Sequence, residues 1–289
     1  MADGVAEFLS YHAINLDEWP WGRALLTAFL TGREATSQAI AAAPKSVLEK
    51  EPSFGLLHQL GERACEHIAG SIACFATKNA ASAELAARAA VELSVNIRFM
   101  LAGDRNSRVV AWIRDYVRND EKQINHWEKA IAHLSEAEKQ QCVPRIATRR
   151  KLQELRKEWL KGAESEFAQF GPVNLNEPWP KIFDRFEQIG EAVAYRTAYA
   201  RLSSQTHADA EDTLNYIFFS SNGDEEKLFQ MAQETVAFTQ YLIAYSTFFC
   251  LSAMKKFCEA FKLKSPTEID TSVAKVLAGM EEIGDMWKW

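Results

Sequence analysis

Tyr195, Tyr199, Ser203 and His207 fall four residues apart in GEAVAYRTAYARLSSQTHADAEDTLNYIFFSSN, residues 190–222. After its first residue the stretch has no Gly or Pro, and it is rich in Ala, so it predicts one or two helices. A four-residue spacing stacks side chains along one side of a helix, drifting about 40° per step. Hydrogen-bonding groups in line among alanines suit a polar seam against other protein, or a pocket, better than open water. Ser203 and His207 can share a hydrogen bond. No G-x-S-x-G elbow surrounds the serine, so it lacks a serine-hydrolase context.

A second ladder lies upstream in AELAARAAVELSVNIRFML, residues 83–101. Glu84, Arg88, Glu92 and Asn96 recur at the same four-residue interval among apolar neighbours. A helix apolar on most sides belongs at the centre of a bundle. Charges buried there must pair or form hydrogen bonds, and Arg88 and Glu92 can pair with each other. Two arrangements fit. The ladder faces Tyr195, Tyr199, Ser203 and His207 across a cleft, or it is a solvated stripe of ordinary salt bridges.

The elements that must position these groups are helical. Helices are expected over 23–42, 52–78, 80–102 and from about 106 to 140, with a charged helix starting at Pro144 and reaching about 170. GPVNLNEPWP, residues 171–180, is a loop. Asp224 caps a long helix ending near Phe261, and Ser265-Pro266-Thr267-Glu268 opens the last. No run alternates with period two between turn signals. The expectation is an all-α bundle of about eight helices with no β-sheet, forming one domain over 1–289. Within it, 1–50 is an N-terminal extension, 51–170 and 181–264 are two helical halves, and 265–289 is a C-terminal helix.

Composition narrows the function. The chain has 289 residues, 47% hydrophobic and 25% charged, with a net charge of −6. That suits a soluble globular protein and disfavours broad nucleic-acid binding, so no DNA partner is expected. The segment 145–161 is locally basic: it either contacts a phosphate backbone or pairs with acidic residues elsewhere. Five cysteines without a C-x-x-C pair suggest reduced thiols in a cytoplasmic chain. Residues 235–254 carry no charge, but six Thr, Ser and Gln residues interrupt them, so they read as a core helix and no membrane partner is expected. The stripe Phe238, Tyr241, Tyr245, Phe248 and Phe249 reads as core. His58, Glu62 and Glu66 read as a solvated face, as do His126 and His133. His207 and Glu211 are co-facial, but no Glu-x-x-His or H-E-x-x-H occurs, so no metal site is expected. Gly-rich phosphate loops are absent too, and no cofactor is expected.

The Arg88–Glu92 helix with Asn96, and YARLSSQTH at residues 199–207, resemble a bacterial family of helical proteins of unknown function. Its members carry Arg-x3-Glu and Tyr-x3-Ser-x3-His motifs. The resemblance covers roughly residues 50–255 and implies an all-α fold. The chain is more broadly similar to the HEPN superfamily, helical and often dimeric proteins of toxin–antitoxin and antiphage systems. Many of those are metal-independent ribonucleases with an Arg-x4–6-His motif, which Arg201 and His207 fit. The similarity implies a homodimer, RNA as substrate, His207 as acid/base and Arg201 stabilising the phosphate, with Arg88, Glu92, Tyr195, Tyr199 and Ser203 positioning them. Positions six apart on a helix differ by about 120°, so a shared site needs a helix irregularity or a partner subunit. The alternative is a non-catalytic module that binds a protein or small ligand, its ladders purely structural.

Overall fold

A capping box decides the first boundary at which structure and sequence differ. The computed structural model describes residues 10, 19, 21–200, 210–264 and 267–287. Among them helix α5 runs Arg105–Ile131 and α6 runs Glu136–Ala168. The sequence reading carried the first of these to 140 and started the second at Pro144. Instead the Ser135 N–H donates to Glu138 Oε2 at 2.9 Å, and the Glu138 N–H donates to Ser135 Oγ at 3.4 Å. This reciprocal cap starts α6 earlier, and Pro144 lies inside the helix. Likewise Asp104 caps α5, accepting from the Ser107 N–H, so the helix starts at Arg105 rather than about 106.

The remaining helices are α1 (Gly22–Ala41), α2 (Lys45–Lys50), α3 (Phe54–Ala76), α4 (Ala80–Leu101), α7 (Ile182–Gln188), α8 (Ala192–Ala194), α9 (Ala210–Ser221), α10 (Glu225–Ala260) and α11 (Thr267–Trp287). A π turn, Tyr195–Tyr199, continues α8. The fold is all-α: the described residues hold eleven helices, nine of them seven residues or longer, and no strand. The excess over the expected eight includes short pieces such as α2 and α8. Asp224 caps α10 as expected, accepting from the Lys227 N–H.

The chain forms two compact units. The smaller holds residues 45–55 and 102–181, where α5 and α6 pair as an antiparallel hairpin. Asp120, buried on α5, accepts from Arg149 and from Arg156, each at 2.5 Å. Gln153 Nε2 donates to the Val117 carbonyl at 2.8 Å. The Pro-rich loop is tied to α5: the Asn174 N–H donates to Ser107 Oγ at 2.7 Å, and Arg114 donates to the Leu175 carbonyl.

The larger unit holds residues 1–44, 56–101 and 182–289. Its axis is α10, the one described helix long and apolar enough to cross a membrane; 67% of its most apolar window is buried inside the protein. That is the burial of a core helix. One core cluster joins Phe29, Ile68, Ala90, Leu251 and Val276. A second joins Val91, Val95, Phe186, Tyr199, Leu242, Tyr245 and Phe249. The aromatic stripe of α10 lies in or against these clusters, as expected, with Tyr241 stacked on Tyr245 at 6.1 Å. Helix α4 contributes to both clusters, so its polar ladder runs through the core. In the aromatic WPWG segment, the Trp19 ring comes within 2.4 Å of where a Cβ on Gly22 would sit. Only glycine permits that approach.

Candidate functional site

The α4 ladder is the polar thread of the larger unit, and its four rungs meet three different elements. Glu84 is buried on the side facing α10, where the Thr239 hydroxyl donates to its Oε1 at 2.6 Å. Asn96, also buried, accepts from the Arg185 guanidinium of α7 through Oδ1. Between these ends, Arg88 and Glu92 are half-buried. The Tyr199 hydroxyl donates to Glu92 Oε2 at 3.1 Å, and the Arg88 guanidinium carbon stands 5.5 Å from the Tyr199 ring centroid. A cation over a phenol ring is attracted by its π face.

Electrostatics around Tyr199 follow from that geometry. Burial pushes its phenol above the ordinary range, the Glu92 carboxylate pushes the same way, and Arg88 pulls against both. The phenol therefore stays a neutral donor to Glu92.

Tyr199 owes its position to the π turn. The Ala200 N–H reaches back to the Tyr195 carbonyl, five residues earlier. Such single turns widen a helix locally and often occur at functional sites. Beneath the turn lies an aromatic floor: Phe186 is 5.3 Å from Tyr199 and 5.5 Å from Tyr195, and Tyr195 is 5.4 Å from Tyr199. Tyr195 thus meets its neighbours through its ring, packing edge-on to Phe183 at 5.0 Å.

Of the two arrangements open for α4, the solvated stripe is overturned: both ends of the ladder are buried and bonded to other helices, because α4 is apolar on most sides and packs into both core clusters. The structure brings Arg88, Glu92 and Tyr199 together, with Tyr195 beside Tyr199. Arg201, Ser203 and His207 lie outside the described residues.

Sequence reasoning missed a second centre on the same helix. Arg98 Nη2 donates to Glu191 Oε1 at 2.7 Å, and its guanidinium stacks 5.1 Å from the Phe249 ring. The Tyr245 hydroxyl is buried near this pair with no hydrogen-bond partner among the described residues. Burial first, then Glu191, raises its phenol well above the ordinary range. Arg98 lies six residues after Glu92, off the four-residue ladder, and Glu191 sits in a turn. Only the apolar flanks of Arg98, Ile97 and Phe99, hinted at its burial.

Other candidates resolve as surface or internal pairs. Glu62, expected on a solvated face with His58, is instead half-buried and bonded to Arg33 at 2.9 Å. His126 and His133 are exposed. In the basic segment, Arg149, Arg150, Arg156 and Lys157 pair with Asp120, Glu128, Asp120 and Glu121 of α5. For these four, pairing with acidic residues is what the chain does. No three His, Cys, Asp or Glu side chains among the described residues are placed to share a metal ion.

No curated protein and no solved structure matches the chain. One family model does, over residues 55–246. That span holds the α4 ladder, the π turn and the 199–207 motif, close to the extent expected from the motifs alone. The chain belongs to a family of unknown function, DUF5677.

Proposed function

We propose that the protein is a cytoplasmic, metal-independent ribonuclease of the bacterial defence or toxin type. His207 serves as acid/base and Arg201 as phosphate ligand. Arg88, Glu92, Tyr195, Tyr199 and Ser203 position the substrate and the catalytic groups. One observation carries this reading. The ladder's buried ends are closed by other helices, while its middle is partly open and bonded to Tyr199, two residues before Arg201.

The 2′-hydroxyl of RNA supplies the nucleophile, so the reaction needs no metal to generate one. The 2′-oxygen bonds to phosphorus as His207 accepts its proton. The bond from phosphorus to the 5′-oxygen breaks, and solvent protonates the leaving oxygen. Arg201 offsets the negative charge that accumulates on the phosphoryl oxygens. A 2′,3′-cyclic phosphate and a 5′-hydroxyl result.

The test is cleavage of a labelled RNA in the presence of EDTA, alongside a copy with 2′-deoxy sugars. Cleavage of RNA alone, lost in His207→Ala, is the expected outcome. Cleavage of the deoxy copy, or undiminished activity in His207→Ala, would remove the reading.

A second reading is favoured by the Glu84–Thr239 and Asn96–Arg185 bonds. They tie α4 to α10 and α7 as a buried network would if its work were to fix helix register. The protein is then a non-catalytic module binding a protein partner or small ligand. His207→Ala would lower stability by about 1–3 kcal/mol, the cost of a lost buried hydrogen bond, and the wild type would cleave nothing.

A further inference from the structure

Helix α6 has two faces of opposite character. The side toward α5 carries Arg149, Arg150, Arg156 and Lys157, every one in an ion pair within the smaller unit. Roughly a third of a turn away runs a stripe of Arg145, Thr148, Leu152, Leu155, Trp159 and Gly162. Leu152, Leu155 and Trp159 are 43%, 60% and 56% exposed. Alternating steps of three and four residues are those of a coiled-coil seam. The charges along the open side, Arg145, Lys151, Glu158 and Lys161, make no ion pair among the described residues.

We propose that this stripe is a homodimer interface, in which α6 packs antiparallel against α6 of a second copy about a two-fold axis between Leu152 and Leu155. The inference is independent of the catalytic reading. Its basis is self-complementarity. The two-fold pairs Leu152 with the partner's Leu155 at the centre. It sets the small Thr148 against the partner's Trp159, and Arg145 against the partner's Gly162. A Cβ added to Gly162 would meet nothing within 4 Å in its own chain, so this mid-helix glycine has no packing reason inside the subunit. Glycine is a poor helix former beside Ala, and the room it leaves suits a long side chain crossing from the other copy. On one flank, Lys151 meets the partner's Glu158, and the symmetry makes that contact twice; on the other, Arg149 approaches the partner's Arg156, each already held by Asp120 of its own subunit. An isologous interface requires this matching of one surface with itself.

The closing experiment is sedimentation of the full chain over a wide concentration range, with circular dichroism to confirm helicity. The wild type should sediment as a dimer, and Leu155→Glu as a helical monomer. Lys151→Glu alone should raise the dimer dissociation constant about tenfold or more. The double change Lys151→Glu with Glu158→Lys should restore it, because the swap rebuilds both flank pairs. A wild type that is monomeric throughout would overturn the proposal, as would a dimer that survives in Leu155→Glu. A double variant no tighter than the single would overturn the antiparallel register.

Discussion

Helices α4 and α6 invert one another. The first hides charge: Glu84 and Asn96 sit in the core, and the ladder between them touches α10, the π turn and α7. The second exposes apolar surface: Leu152, Leu155 and Trp159 face outward while Arg149 and Arg156 turn inward onto Asp120. Regular spacing says which residues share a face. Whether that face is wet depends on the other faces of the same helix. Helix α4 is apolar on most sides, so the core closes around it and its ladder is drawn in with the rest. In α6, one acidic side chain on α5 recruits two guanidiniums and leaves the leucines outside.

Changes in the two helices should therefore differ in kind. The largest effect is expected where α4's surroundings lose volume. Phe186 is fully buried under Tyr195 and Tyr199, and Phe186→Ala should cost about 3–5 kcal/mol in denaturant unfolding. A cost below 1 kcal/mol would mean the aromatic floor is not packed as described.

Next come the buried hydrogen bonds. Thr239→Val removes the donor to Glu84 and should cost about 1–3 kcal/mol. Asn96→Ala removes the acceptor for a buried guanidinium, with a similar loss. Neutral outcomes at both sites would return α4 to the solvated-stripe reading.

On α6, Asp120→Asn should cost roughly 1–3 kcal/mol, below the loss typical of a broken buried pair, because Arg149 and Arg156 can turn toward water. Trp159→Gln should leave the folding of an isolated subunit within about 0.5 kcal/mol. A large loss there, at concentrations too low for association, would show the stripe to be core.

The smallest effect is a pH dependence carried by buried groups of the larger unit. Burial raises the thiol of Cys258 to about 11 and raises the phenol of Tyr199. At high pH the unfolded chain loses these protons before the folded one does. Stability is therefore complete below about 9, the unfolded thiol value, and falls as pH climbs through the folded values. Cys258→Ala should flatten the first part of that decline in thermal melts. An unchanged slope would mean the thiol is not buried.

Much of the fold was legible because its signals are local. Pro44 limits α1, Gly103 follows α4, and Asp224 caps α10. The boundary between α5 and α6 is less legible: Pro144 is the stronger start signal by residue type, yet the Ser135-x-x-Glu138 pair closes a reciprocal cap nine residues earlier and the helix runs through the proline. The candidate site was half legible. Four-residue spacing found Arg88, Glu92 and Tyr199 on their two elements. The π turn that presents Tyr199 depends on packing against Phe186, and the Arg98–Glu191 pair on a contact 93 residues apart in sequence. Neither leaves a periodic trace.

The proposed division of labour, in which the ladder's ends hold the fold while its middle serves chemistry with His207, can be put to a single variant. Its most direct test is His207→Ala, read for RNA cleavage in EDTA and for melting temperature in the same preparation. Lost cleavage at an unchanged melting temperature is the expected result. Cleavage at the wild-type rate would contradict it, as would a depressed melting temperature in a protein whose wild type cleaves nothing.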